Sequence, residues 1–324
     1  MARRRVIGVD LGGTKVAAGI ADTDANLLHS LEEPTDTSSA QSCLDQVVRI
    51  VRELRDKHAS AGELAGIGVG VPGITESATG LVVWAPNLPG WRDIPLGEKL
   101  RKEFGVPALV ENDVDVAALG EWQHGAGRGS RNMILIAIGT GIGCGMILDG
   151  KLYKGSGGVA GAVGWSVIGE DRLFREEYKA VGCAETLAAG PGIGRRAQEA
   201  AAENPSSLLL EMARGRAGDI TSRTAFQAAA AGDETALRVI GDTAKFLGIV
   251  VANAISLLNP EVVAIGGGVA EGGDLLLKPV REIALAHAQP VAASQVRIEP
   301  AVLGNRAGLI GALCLAAGLG APTT

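Results

Sequence analysis

Val6-Ile7-Gly8-Val9-Asp10-Leu11-Gly12-Gly13-Thr14-Lys15-Val16 opens the chain as a strand, a Gly-Gly turn and a returning strand that runs to residue 21. A third strand follows near residues 27–32, and strands joined this tightly form antiparallel hairpins. The pattern restarts with Met133–Ile138, the turn Gly139-Thr140-Gly141-Ile142-Gly143 and a returning strand at 144–148. Laying residue 10 on 138, 13 on 141 and 20 on 148 superposes the two units. Across the turns only Gly13 and Gly141 match, so the likeness is one of pattern and points to a duplication.

Outward from these units the chain alternates strands and helices, an α/β pattern. Residues 39–58 carry Leu44, Val47, Val48, Ile50, Val51 and Leu54 at helical spacing. Leu64–Val71 reads as a buried strand. Residues 72–95 hold four of the thirteen prolines, Asn87 and two tryptophans, which suggests a long functional loop. A strand at 107–111 leads into an Ala-rich helix ending near His124. Later come helices at 193–203, 222–231 and Glu234–Leu258, a strand at 262–265, helix Asp274–His287, a strand at 296–298 and a last helix at 304–317. We expect an N-terminal domain at 1–115 and a larger one at 116–303, with helix 304–317 packing back on the first.

Composition narrows the class. Glycine supplies 47 of 324 residues, about twice the usual share, while aromatics are only 3%. A net charge of −6 weighs against nucleic-acid binding, which leaves a basic footprint. Cys43, Cys144, Cys183 and Cys314 form no CxxC pair, which suits a reducing cytosol. The basic start at 1–5 is followed by too short an apolar run for a secretory signal. No uncharged apolar run reaches 18 residues, so neither a membrane span nor a membrane partner is expected, and the expected location is cytoplasmic.

Three glycine clusters suit phosphate and nucleotide. In Asp10-Leu11-Gly12-Gly13-Thr14-Lys15 the glycines let backbone N–H groups approach a phosphate, Thr14 adds a hydroxyl, and Asp10 can hold Mg²⁺ through water. A plain hairpin turn is the competing reading. A P-loop is rejected, because Thr14-Lys15 replaces Lys-Ser/Thr and a strand follows. Gly139, Thr140 and Gly141 repeat the motif, and two such hairpins facing one cleft can clamp a polyphosphate. Gly266, Gly267 and Gly268 sit between strand and helix, where backbone can approach an adenosine. Gly68-x-Gly70-x-x-Gly73 spells GxGxxG, but Pro72 and the absence of a following helix reject a dinucleotide fold. Glu111-Asn112-Asp113 lies at a strand end that opens a helix. Its residues are either helix caps or a base, Asp113, with Asn112 positioning a sugar. Trp91 either floors a sugar site or packs its loop. The four histidines lack metal-ligand spacing, and 170–179 reads as a solvated charged segment.

In order and spacing these motifs resemble the ROK family of sugar kinases, glucokinase-like, over essentially the whole chain. The resemblance implies a two-domain actin-like, hexokinase-type (ribonuclease H-like) ATPase fold with an interdomain cleft. Residues 9–15 match the family's first phosphate motif, 139–143 the second and 266–269 the adenosine motif. Val71-Pro72-Gly73 and Asn87-Leu88-Pro89-Gly90-Trp91 match its sugar loops, and 303–312 its C-terminal helix. Asp113 falls at the position of the base. Gly73, Asn87, Asn112, Glu185 and the position of Trp165 fall at the sugar. The implied activity is transfer of the ATP γ-phosphate, with Mg²⁺, to O6 of glucose or a related hexose. Homodimers and homotetramers are common in the family. Its repressors carry a DNA-binding helix-turn-helix before the first phosphate strand, which here begins by residue 6, so a kinase is expected.

The chain departs from the family at one corner. Where the family reads Gly-Glu-x-Gly-His, with Glu and His at the sugar and His also on zinc, this chain reads Gly161-Ala162-Val163-Gly164-Trp165. The family's CxCGxxGCxE becomes Glu-Glu-Tyr-Lys-Ala-Val-Gly-Cys-Ala-Glu at 176–185, keeping only Cys183 and Glu185. One Cys cannot build a four-coordinate structural site, so no zinc is expected. The loss leaves open weak glucose binding, a modified sugar or cyclitol as acceptor, or a non-catalytic sugar or nucleotide sensor. The donor, ATP or polyphosphate, also stays open.

Overall fold

The computed structural model describes residues 4–60, 62–169 and 175–318. Residues 1–3 of the basic start and 170–174 of the charged segment lie outside them.

The opening hairpins form as β1 (Arg5–Leu11), β2 (Lys15–Asp22) and β3 (Leu27–Pro34). Helix α1 (Ala40–His58) starts at Ser39, whose hydroxyl accepts the Ser42 N–H, and buries its apolar stripe. Strand β4 (Leu64–Val71) follows. Residues 72–95 are not the single irregular loop expected: β5 (Ile74–Glu76), β6 (Leu81–Trp84) and β7 (Arg92–Ile94) make a small antiparallel sheet. Trp91, 2% exposed, packs into the core beside Leu88 and Leu96, so loop packing is its role. Helix α2 (Leu96–Phe104), β8 (Ala108–Asn112) and α3 (Asp113–His124) complete this stretch.

The first sheet has the order β3-β2-β1-β4-β8, with β4 and β8 parallel to β1. One face carries Ile7, Val9, Leu11, Ile67, Val69 and Val110 against α1 and α2. The other face is nearly bare of side chains. Gly8 lies opposite Gly19 and Gly68, and Gly66 and Gly70 continue the stripe. Helix α12 (Ala307–Ala316) lies on it so closely that a Cβ at Gly8 would stand 2.7 Å from the Leu313 N, and one at Gly66 2.6 Å from the Ala316 O. A Cβ at Gly68 would collide with the Ala312 carbonyl. The two helices meet as tightly: a Cβ at Gly120 of α3 would lie 2.5 Å from the Ala307 O. Gly68 and Gly70 of the GxGxxG string thus serve helix packing. The buried Glu121 carboxylate secures the entry to α12, accepting the N–H of Leu303 (2.7 Å), of Val302 (3.2 Å) and of Ala126 (2.9 Å).

The second sheet repeats the first. Strands β9 (Met133–Ile138), β10 (Ile142–Leu148), β11 (Lys151–Leu152), β12 (Val262–Gly266) and β13 (Arg297–Pro300) take the order β11-β10-β9-β12-β13. Counted within each sheet, both orders are third, second, first, fourth, fifth. Between β11 and β12 run α4 (Glu177–Val181), α5 (Cys183–Ala188), α6 (Gly190–Glu203), α7 (Leu208–Met212), α8 (Ser222–Ala230) and α9 (Glu234–Leu258). Helices α10 (Asp274–His287) and α11 (Pro290–Gln295) lie between β12 and β13. By length and composition α9 could cross a membrane, yet 61% of its most apolar window is buried within the fold. Its apolar residues face α5, α6, α8 and α10.

Two compact units result. One holds the chain up to Leu135, Gly145–Gly161 and the described residues from Val302 on; the other holds Ile136–Cys144 and Ala162–Ala301. The division falls later than the expected position near residue 115, because α3 packs with α12 inside the first unit.

If the glycine face sets the fold, Gly68→Ala should cost about 3 kcal/mol or more through overpacking against backbone that cannot yield. Gly241→Ala, in α9 where a Cβ meets nothing, should gain about 0.5–1 kcal/mol. Urea midpoints of the two variants measure both effects.

Candidate active site

In the first unit, β1 delivers Asp10 to the end of the glycine face. The first turn of α12 presses on it: a Cβ at Gly308 would collide with the Asp10 carboxylate. Beyond Asp10 the chain turns with the Gly12 N–H donating to the Lys15 carbonyl at 2.9 Å. Thr35, absent from the expected site, braces this turn. Its hydroxyl donates to the Gly12 O (2.7 Å) and its N–H to the Thr14 O (3.0 Å). Gly13 faces Asn87, and a Cβ there would stand 2.8 Å from the Asn87 O. The Lys15 ammonium is drawn along the sheet to Glu32, 2.8 Å away.

Asn112 is the N-cap of α3. Its Oδ1 accepts from the Val114 N–H (2.9 Å) and the Asp115 N–H (3.4 Å), and its Nδ2 donates to the Gly73 carbonyl (2.9 Å). The cap reading therefore holds for Asn112, and the same amide ties Gly73 to the helix start. Asp113 is the first helical residue, with Oδ1 accepting from the Val114 N–H at 2.9 Å. Burial raises the Asp113 pKa to about 6, against hydrogen bonds from Val114 and Asn112 that favour the anion. Burial, and next the charge of Asp113, raise Asp10 to about 6. Asp115 reaches about 7, again by burial, with Lys154 pulling down and Glu111 and Asp113 pushing up. Three neighbouring carboxylates with raised pKa values suit proton-transfer chemistry.

In the second unit, the Gly139 N–H donates to the Gly141 O (2.9 Å), closing the turn, and the Gly190 N–H donates to the Gly139 O (2.8 Å). Glu185 lies beneath this turn, its Oε2 accepting the Ile142 N–H at 2.7 Å. Gly267, at φ +87°, brings the chain against the end of β9, and the Val269 N–H donates to the Ile138 O at 3.0 Å. Gly139, Thr140 and Gly268 line one cavity of about 840 Å³; Gly141, Gly266 and Gly267 are not in its lining. The other walls come from α6 and α8, with Gly190, Arg195, Gln198, Arg223 and Phe226. None of these five was expected from the sequence. The available signal was Gly190-Pro191-Gly192, a helix start that leaves N–H groups open.

The remodelled corner is also in this unit. Trp165 ends a single turn at Val163–Trp165 and is 53% exposed. Cys183 is buried with Ile168, Tyr178, Ala184, Leu187 and Val250. Apolar packing occupies the position of a thiolate cluster, so the residues present do not fit a zinc ion. Among the described residues no group of three or more His, Cys, Asp and Glu could hold a metal.

The ROK family model matches residues 6–318, and the chain belongs to the ROK family. It is 38% identical over 313 residues to the glucokinase of Halalkalibacterium halodurans, covering 96% of this chain and 94% of that one. The ROK glucokinase of Streptomyces griseus, solved with glucose and AMPPNP, superposes with a TM-score of 0.77 at 32% identity, covering 97% of this chain and 99% of that one. The xylose repressor of Caldicellulosiruptor bescii is 27% identical over 96% of this chain and 77% of its own length. The fold is the actin-like, hexokinase-type ATPase fold of the ROK sugar kinases.

A buried carboxylate with a raised pKa contributes stability below the unfolded value near 3.8 and loses it as pH rises through the folded value. For Asp115 that window runs from about 4 to about 7. Asp115→Asn removes the titration. Thermal melts at pH 5 and pH 8 in metal-free buffer should show the variant gaining on the parent at the higher pH, by about 2–3 kcal/mol.

Proposed function

We propose that the protein is an ATP-dependent sugar kinase that transfers the γ-phosphate to a primary hydroxyl, O6, of glucose or a related hexose. Asp113 carries this reading: a half-buried carboxylate with its pKa raised to about 6, at the first position of a helix whose cap also holds the Gly73 loop. The glucokinase relatives support the same chemistry.

In this mechanism the unit-two cavity takes the nucleoside of ATP, and the backbone of the Gly139–Gly141 turn in the same unit meets its phosphates. The acceptor lies against Asn87, Gly73 and the start of α3. Asp113 accepts the hydroxyl proton as the oxygen forms its bond to the γ-phosphorus and the bond to the β-phosphate oxygen breaks, releasing ADP. Asp10 fits a magnesium site of the kind that uses one carboxylate through water together with substrate phosphates. Bound there, Mg²⁺ neutralises charge on the phosphate oxygens.

Release of ADP, followed by a coupled assay over a panel of hexoses, amino sugars and cyclitols with ATP or polyphosphate as donor, tests the reading. No release with any pair sinks it. Asp113→Asn should cut kcat by about 10²–10⁴-fold while ATP still binds. In the parent, kcat/KM should rise with pH through about 6, where the Asp10 and Asp113 pair loses its proton.

Trp165 and Ala162 favour a second reading of the acceptor. They remove a carboxylate and an imidazole where hydrogen bonds to sugar hydroxyls contribute about 1–3 kcal/mol each when buried. Acceptors less polar at that end, such as a modified sugar or a cyclitol, then suit the site better than glucose. The double variant Ala162→Glu, Trp165→His should lower the KM for glucose about tenfold if the lost contacts matter. Elemental analysis of the purified parent should find far less than one zinc per chain.

A further inference from the structure

Beside the end of β8 that leads into Asp113, within the same unit, lies a second polar cluster. Leu109 and Glu111 share the face of β8 that registers with Gly68 and Gly70, and both line a cavity of about 900 Å³. Lys154 reaches into its floor. The Lys154 side chain is 7% exposed and that of Glu111 2%. The ammonium contacts the Glu111 carboxylate, the Ser77 Oγ at 2.9 Å and the Thr75 Oγ1 at 3.1 Å. An ammonium has three protons, and here three acceptors meet them, so the group has no donor left for a ligand.

The partners of Lys154 say what it does. Thr75 and Ser77 follow Gly73, whose carbonyl is held by the Asn112 amide. Glu111 immediately precedes that Asn112. Segment 73–77 is therefore tied to segment 111–113 twice, once by Asn112 and once by Lys154 from behind. A buried ion pair adds little net stability over an apolar pair of the same shape, whereas its geometry is demanding. Its effect here is to hold two chain segments in one register. Lys154 also supplies the positive charge faced by Glu111 and Asp115, which lie on either side of Asp113 in the chain.

We propose that Lys154 is a positioning residue: by bridging Glu111 to Thr75 and Ser77 it locks the Gly73–Ser77 segment to the end of β8, from which the chain passes into Asp113. The catalytic part of this claim rests on the kinase reading.

The test uses the full chain with Lys154→Met, Lys154→Arg and Thr75→Val. Hydrogen exchange is followed at the Val114 and Asp115 amides, and kcat and KM are measured with the best acceptor. Lys154→Met should speed exchange at both amides about tenfold or more. It should lower kcat about 30-fold while the KM for ATP stays within about twofold, and Lys154→Arg should recover most of the loss. Should Lys154→Met not fold, Thr75→Val decides, with the same direction and a roughly 3–10-fold effect on kcat. Parent-like exchange and kcat in the folded variants overturn the proposal, as does an arginine variant as slow as the methionine one. A parent that releases no ADP with any acceptor defeats the kinase reading alone, and the exchange data still decide whether Lys154 is the lock.

Discussion

The contact between helix α12 and the bare face of the first sheet governs this protein. Gly8, Gly66 and Gly68 let helix backbone rest on sheet backbone with no side chain between them. A layer of Val or Leu would lift α12 by several ångströms, since packed helices ordinarily stand about 8–10 Å from their neighbours. The close seat brings Gly308 onto the Asp10 carboxylate and α12 against α3, which begins at Asp113. Asp115 is buried and Asp10 and Asp113 are half-buried, and desolvation is the largest cause of the raised pKa of each. The electrostatics of the site thus follow in part from glycines that pack helix on sheet.

Each sheet sends out one glycine turn, and each turn is held differently. The first is braced by the Thr35 hydroxyl; the second rests on the Glu185 carboxylate and on Gly190 at the start of α6. The same strand order therefore ends in unlike surroundings. In the first unit it leads to carboxylates of raised pKa, and in the second to a roomy cavity between helices. A duplicated scaffold can carry two tasks this way, because strand order fixes where a turn emerges while the later helices decide what it faces.

Much of the site was legible where chemistry and local geometry coincide. Asp10 with Gly12 and Gly13, and Gly139 with Gly141, stand at strand ends because a tight turn demands glycine there. Asn112 and Asp113 were ambiguous between cap and function, and a cap is what Asn112 became. Trp91 was equally ambiguous, and the core claimed it. The prolines at 72–95 suggest a long loop, yet its short strands pair across the β5-β6-β7 sheet, a non-local property that no local count reveals. Lys154 and Thr35 gave no motif at all, since their partners lie far away in sequence.

The sequence by itself determined the two strand-turn-strand units, the family and the identity of the chemical groups, because these depend on residue type and short-range spacing. Only the tertiary structure decided why glycine is so abundant. In the first sheet its main use is the approach of α12, which requires knowing that residues 307–316 return to lie on residues 8 and 66–68. Burial, and with it every raised pKa and the placing of Lys154 against Glu111, is likewise a sum over distant segments. It comes into being only when they pack.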